Sequence, residues 1–336
     1  MRGEISAFAS ERIPGSGLAS DPGGGSVALA WDHKARLLGL MTKSTAILTY
    51  VLLVAGSLVT SMKAALSDPT WPAFVGQPFP TKETFIGGLV FEDSHRVLAA
   101  VTGLATLLQA IALSLADVSR AVKKFAWFAV ALVAAQAAVG GLVIHSLRNP
   151  YVSVVHGVLG QSYLATMMGL ALVTSRWWRT AKDLSHFPHI VSIRRQMTVA
   201  AWLVFIQLLL GAGLRHSQSG FTPHLIFHIA GAVIVAGFIF FLTLRVLGQF
   251  AELRFLRRAL LALSGIVILQ MLLGGAAVFA NRARPEPELA RLHHVGVSVG
   301  HVALGAAILA LTVLSALALR RVAPVARRTA SQETCT

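Results

Sequence analysis

Apolar stretches of about 20 residues, parted by short polar turns, recur eight times along this chain, near residues 44–62, 95–116, 125–145, 152–174, 197–214, 223–247, 259–280 and 295–319. A bilayer core of about 30 Å takes roughly 20 helical residues, so the pattern predicts an all-α membrane protein with eight transmembrane helices. Four spans return a chain to its starting side. Spans one to four and five to eight are therefore expected as parallel repeats about an axis along the membrane normal, each a four-helix bundle. The expected division is a disordered cytoplasmic arm at 1–36, an N-terminal bundle at 37–175, a cytoplasmic linker at 176–196, a C-terminal bundle at 197–320 and a cytoplasmic tail at 321–336. The arm is rich in Gly, Ser and Pro and has no apolar core of a signal peptide.

Composition agrees with this class. Hydrophobic residues make up 55% of 336 positions and charged ones 13%, more apolar than a water-soluble domain requires. The net charge of +15 raises the question of a nucleic acid, but the basic residues track the loops. Arg120, Lys123 and Lys124, then Arg176, Arg179, Lys182, Arg194 and Arg195, and later Arg254, Arg257 and Arg258, all fall on one side of the predicted topology. By the positive-inside rule that side is cytoplasmic, with both termini on it. The basic residues then serve orientation and contact with membrane lipids, and no nucleic-acid partner is expected. Cys335, the only cysteine, can form no intrachain disulfide.

Four histidines stand near the outer ends of alternate spans: His95, His156, His228 and His301. An imidazole in hydrocarbon is costly without a partner, and iron held by axial histidines is a common reason to keep one there. The halves agree in register, since His156, Leu159 and Gly160 recur as His301, Leu304 and Gly305. Facing helices that each offer one inward histidine can clamp a planar macrocycle, so two bis-histidine sites are predicted. His224 and His294, each on the same face as its neighbour, and His293 stay open as alternative ligands. A second recurrence places a glutamine four residues before a glycine at Gln136 and Gly140, Gln207 and Gly211, and Gln270 and Gly274. Such a pair shares one helix face, and we expect it to serve close helix packing.

At these residues the chain resembles the haem A synthase family, membrane enzymes that oxidise a methyl group of haem O to the formyl group of haem A for terminal oxidases. The resemblance runs over roughly residues 40–320. It rests on Glu92, His95 and Arg96 at the start of span two, on Asp68, Pro69, Thr70, Trp71 and Pro72 with Gly76 and Pro78 in the first external loop, and on the small residues at 56–60. Ser67 and Ala73 stand where many members carry a loop cysteine pair, so the chain is similar to a variant without it. The resemblance implies that His95 and His156 hold substrate haem O and that His228 and His301 hold a resident haem b. It implies a cell inner (plasma) membrane location, with haem O synthase and an electron-transfer partner as contacts; a homo-oligomer stays open.

Glu92 lies one turn before His95, where a carboxylate can take a proton or bind water near the haem edge. Its plainer role is an interfacial ion pair with Arg96 or Lys82. A di-haem b-type electron carrier or quinol-oxidising cytochrome would use the same four histidines without Glu92. A transporter without haem would use the repeat alone, and would be expected to carry polar groups at the midplane of broken helices.

Overall fold

The computed structural model describes residues 24–82, 84, 86–217, 223–250, 253–282 and 288–324. Nine helices follow in order among them: α1 (Gly24–Ser61), α2 (Leu89–Leu115), α3 (Arg120–His145), α4 (Pro150–Val173), the short α5 (Arg176–Thr180), α6 (Ile190–His216), α7 (Pro223–Gln249), α8 (Arg254–Arg282) and α9 (Glu288–Val322). No strand occurs among the described residues. The starts of these helices are written in the sequence. Asn149 accepts hydrogen bonds from the backbone of Tyr151 and Val152, Pro150 opens α4, and Ser119 and Ser175 cap α3 and α5. Each satisfies amide donors that a helix leaves without an internal partner.

Helix α1 begins earlier than the sequence led us to expect. Residues 24–36, assigned to a disordered arm, are its opening turns, and residues 1–23 lie outside the described residues. After Pro22 and the glycines that follow, the chain meets helix formers such as Ala28, Leu29 and Ala30 with no further proline. A helix already nucleated in the span extends through such a segment at little cost.

Seven of the nine helices are long and apolar enough to cross a membrane, as in a multi-pass membrane protein. The helix α4, expected as the fourth span, is not among them. It carries Ser153, His156, Gln161, Ser162 and Tyr163, which lower its hydropathy. Several of these are buried inside the protein, as are Leu164, Met167 and Leu170. A helix shielded by other helices has no need of an apolar outer surface. The opposite holds for α7 and α8, whose Ile234, Leu244 and Leu272 project outward, where lipid is their solvent.

Helices α1 to α4 pack in a ring, each against the next and α4 back on α1; α6 to α9 do the same. The two rings meet where α1 and α4 face α6 and α9. Polar side chains inside the bundle find partners across helices. Thr42 and Thr174 hydroxyls are 2.7 Å apart, Thr106 bonds to Tyr163, and Thr243 to Ser264 at 2.8 Å. Between the rings, Tyr50 Oη donates to the carbonyl of Ala303 at 3.0 Å, and Arg215 Nη2 donates to the Ser57 carbonyl and the Ser61 hydroxyl.

Candidate functional site

Each of the four predicted histidines is built into a helical hairpin by the same device. The ring of His95 in α2 lies against Gly56 of α1, His156 in α4 against Gly140 of α3, His228 in α7 against Gly211 of α6, and His301 in α9 against Gly274 of α8. A Cβ added to these glycines would stand 2.8, 3.0, 2.9 and 3.1 Å from the Cε1 of the respective ring. Only a glycine leaves that space free. The residue four positions before the glycine, one turn along the same face, meets the ring as well. Its backbone lies beside the ring in each case, that of Leu52 at His95 and those of Gln136, Gln207 and Gln270 at His156, His228 and His301.

The glutamine side chains add a second contact. The amide nitrogen of Gln136 lies 3.4 Å from His156 Nε2, that of Gln270 lies 3.3 Å from His301 Nε2, and that of Gln207 lies 3.1 Å from His228 Nδ1 while also donating to the His228 carbonyl. In return, each glutamine packs on a glycine of the histidine's helix, at Gly160, Gly231 and Gly305. The glutamine-to-glycine spacing, which the sequence suggested was for backbone approach, therefore seats a ring in two places: the glycine receives the imidazole and the glutamine bonds it. Nothing in the local sequence revealed this, because the partner stands 20 to 31 residues away on another helix.

The rings of His228 and His301 stand edge to face with centroids 6.3 Å apart. His156 exerts an electrostatic influence on both His95 and His216. A metal–imidazole bond of about 2.0–2.1 Å on each side, with roughly 1 Å more from each nitrogen to its ring centre, comes to about 6 Å. Imidazole is a donor that haem iron takes, and at this spacing His228 and His301 are the residues that would hold it. Of the alternative ligands, His224 and His293 are exposed and His294 is half-buried. His145, at the C-terminal end of α3, meets Trp71 edge to face with centroids 6.2 Å apart.

Glu92 sits in the first turn of α2, one turn before His95. It is 5% exposed and belongs to a buried cluster centred on Arg96. Arg96 Nη2 donates to Glu92 Oε1 at 2.8 Å, and its Nη1 to Asp68 Oδ2 at 2.7 Å and the Ala73 carbonyl at 2.9 Å. The backbone N–H of Asp68 donates to Glu92 Oε2 at 3.1 Å. Asp93, fully buried, has only Arg96 Nη1 at 3.4 Å and no hydrogen bond to either oxygen. Of the two partners expected for Glu92, Arg96 is the one it meets, and the pair is buried. Sequence reasoning also missed Asp68 and Asp93 as members of the cluster, since its charges come from a loop and a helix 28 residues apart. The cluster clasps the loop between α1 and α2 over the start of α2, and Trp71 from that loop fills the surface of α3 at Gly141. Asp68 lies outside the membrane-spanning segments. Burial pushes its carboxyl up, but hydrogen bonds from Thr70 and Val75 and the charge of Arg96 outweigh that and hold it below the usual carboxylate range.

A family model described as COX15-CtaA, cytochrome oxidase assembly protein, matches residues 39–228. The match covers most of the N-terminal ring, the loop between α1 and α2 and the chain as far as His228; the resemblance expected beyond that point lies outside it. No curated protein matches the chain.

Proposed function

Because this chain belongs to the COX15-CtaA family of cytochrome oxidase assembly proteins, we propose that it is a haem A synthase, an oxidoreductase that converts a methyl group of haem O to the formyl group of haem A. The observation that carries this reading is the neighbouring pair His228 and His301, with ring centroids 6.3 Å apart, together with His95 and His156 inside the family match. We assign His95 and His156 to substrate haem O, and His228 and His301 to a resident haem b. An iron macrocycle bound there supplies the one-electron chemistry that oxidation of an unactivated methyl needs.

The chain's own residues do the rest. Four glycines let the imidazoles approach the neighbouring helices, so that the rings are held before any ligand arrives. The clasp of Arg96 on Glu92 and Asp68 closes the outer loop over the His95 end of the bundle and keeps bulk water from it. Glu92, one turn from His95, is placed to hold or pass a proton at Oε1 or Oε2. The eight long helices are read as eight spans in two parallel four-helix repeats, in the plasma membrane with both termini cytoplasmic. Membrane lipids, haem O synthase and an electron-transfer partner are its proposed contacts.

The test is the pigment of the purified protein and the haem of a strain that depends on it. We expect a low-spin b-type spectrum, haem O or haem A in the acid extract, and loss of cellular haem A on deletion. A protein that stays colourless after reconstitution with haem overturns both the enzyme and any haem-carrier function. Haem b with normal haem A in the deletion strain would instead indicate an electron carrier.

A further inference from the structure

Along α6 the residues Gln207, Gly211 and Arg215 follow one another at intervals of four, on one helix face. Gly211 is the seat of His228, so Arg215 stands one turn beyond that ring, towards the C-terminal end of the helix. The same position beyond the other three seats holds Thr60, Ile144 and Val278. A cation in this register therefore occurs at one seat of the four, and the glycine device does not by itself require it.

Arg215 is half-buried at the seam between the two rings. Its Nη2 donates to the Ser57 carbonyl at 3.0 Å and to the Ser61 hydroxyl at 2.8 Å, both neutral acceptors. These bonds aim the guanidinium without neutralising it, and no carboxylate among the described residues pairs with it. Asp68, Glu92 and Asp93 are gathered on Arg96 instead. Beside Arg215, Ser57 is buried and its hydroxyl meets no partner among the described residues. Arg215 is close enough to His301 to act on it electrostatically, and Arg148 adds a second cation near His216. A charge withdrawn from water in a membrane-spanning bundle is costly without a counter-charge. The corner between α1, α6 and α9 thus presents positive charge and an unmet hydroxyl next to the His228 and His301 rings.

We propose that Arg215 binds a propionate carboxylate of the haem held by His228 and His301. The inference rests on the haem reading of that site and goes beyond it by naming the residue that receives the anionic edge of the macrocycle. Two axial imidazoles fix an iron but leave the ring free to turn about the axis between them. A single cation on one side removes that freedom, because only one edge of the macrocycle is anionic and a guanidinium matches a carboxylate in shape and charge. Arg215 is then an orienting residue, and its bonds to Ser57 and Ser61 hold it ready across the seam.

The test compares haem with its dimethyl ester, in which both propionates are neutral while iron, ring and axial ligation are unchanged. The full chain in detergent, freed of haem, is titrated with each, and the signal followed is the one lost in His301→Ala. We expect Arg215→Gln to weaken haem binding about ten- to a hundredfold, the worth of a charge-assisted hydrogen bond, and to leave the diester within about twofold. Arg215→Lys should restore part of the haem affinity. Retained binding of the diester shows that the site is still folded. Haem affinity unchanged in Arg215→Gln overturns the proposal and leaves the haem reading standing. Equal loss of haem and diester overturns it too, and assigns Arg215 to the seam alone. No uptake of either ligand by the unsubstituted protein sinks the haem function, and this proposal with it.

Discussion

At the scale of single residues, the four glycines under the histidine rings make the sharpest demand. Gly211 and Gly213 lie on the same helix, but an added Cβ meets His228 Cε1 at 2.9 Å in the first and nothing within 4 Å in the second. Gly211→Ala must push the ring off its seat, an overpacking cost of roughly 1–3 kcal/mol, and since the ring is a proposed ligand the low-spin spectrum should weaken or turn high-spin. Gly213→Ala should leave the spectrum intact; equal spectra from the two variants would detach the glycine seat from the haem site. Asp68 gives a second test at this scale. A carboxyl depressed in the folded protein contributes stability that is fully present above its unfolded value of 3.8 and lost as pH falls through the lower folded value. Hydrogen exchange of the loop around Thr70 and Val75 should therefore stay slow at neutral pH and quicken only on acidification below about 3.8, and Asp68→Asn should remove that step.

At the scale of elements, the loop between α1 and α2 is held by one cation among three carboxylates, and that arrangement changes what substitutions there mean. Arg96→Met would leave Asp68, Glu92 and Asp93 buried without their cation, at roughly 3–5 kcal/mol; we expect a lower Tm and proteolysis within residues 62–88. Glu92→Gln is milder, because a glutamine oxygen still accepts from one of the two donors, Arg96 or the Asp68 backbone, and Asp68 and Asp93 keep their cation. Its loop and haem content should stay near normal while haem A falls and haem O accumulates, and full haem A output at normal protein level would reject a proton-handling role for Glu92. The sequence made the helices legible because burial in lipid imposes a period and a length. It made the histidines legible because a lone imagined imidazole in hydrocarbon asks for a partner. It could not reveal the Arg96 cluster or the glutamine contacts, whose members are near in space and far in sequence. The hydropathy of α4 misled for a related reason: its polar face is covered by α1, α3, α6 and α9, and coverage is a property of the neighbours.

At the scale of the whole molecule, two rings of four helices share one seam, and the question is whether they act as one unit. Most contacts close each ring on itself, whereas the seam's polar contacts are few: Tyr50 to the Ala303 carbonyl, and Arg215 to Ser57 and Ser61. The carbonyl of Ala303 is two residues from His301, and Ser57 adjoins Gly56, the seat of His95, so the seam touches a histidine of each pair. Tyr50→Phe deletes one hydrogen bond, worth about 0.5–1.5 kcal/mol, too little to unfold either ring. If the rings are independent cofactor sites, His95→Ala and His156→Ala should abolish haem A formation while the haem b held by His228 and His301 stays in the purified protein, and adding Tyr50→Phe should change neither result. If the seam instead couples the sites, His95→Ala should shift the spectrum or midpoint potential of the remaining haem, and Tyr50→Phe should reduce that shift. Loss of all haem from either histidine variant, in protein that still inserts and purifies normally, would refute two separable sites and require a single centre shared across α1, α4, α6 and α9.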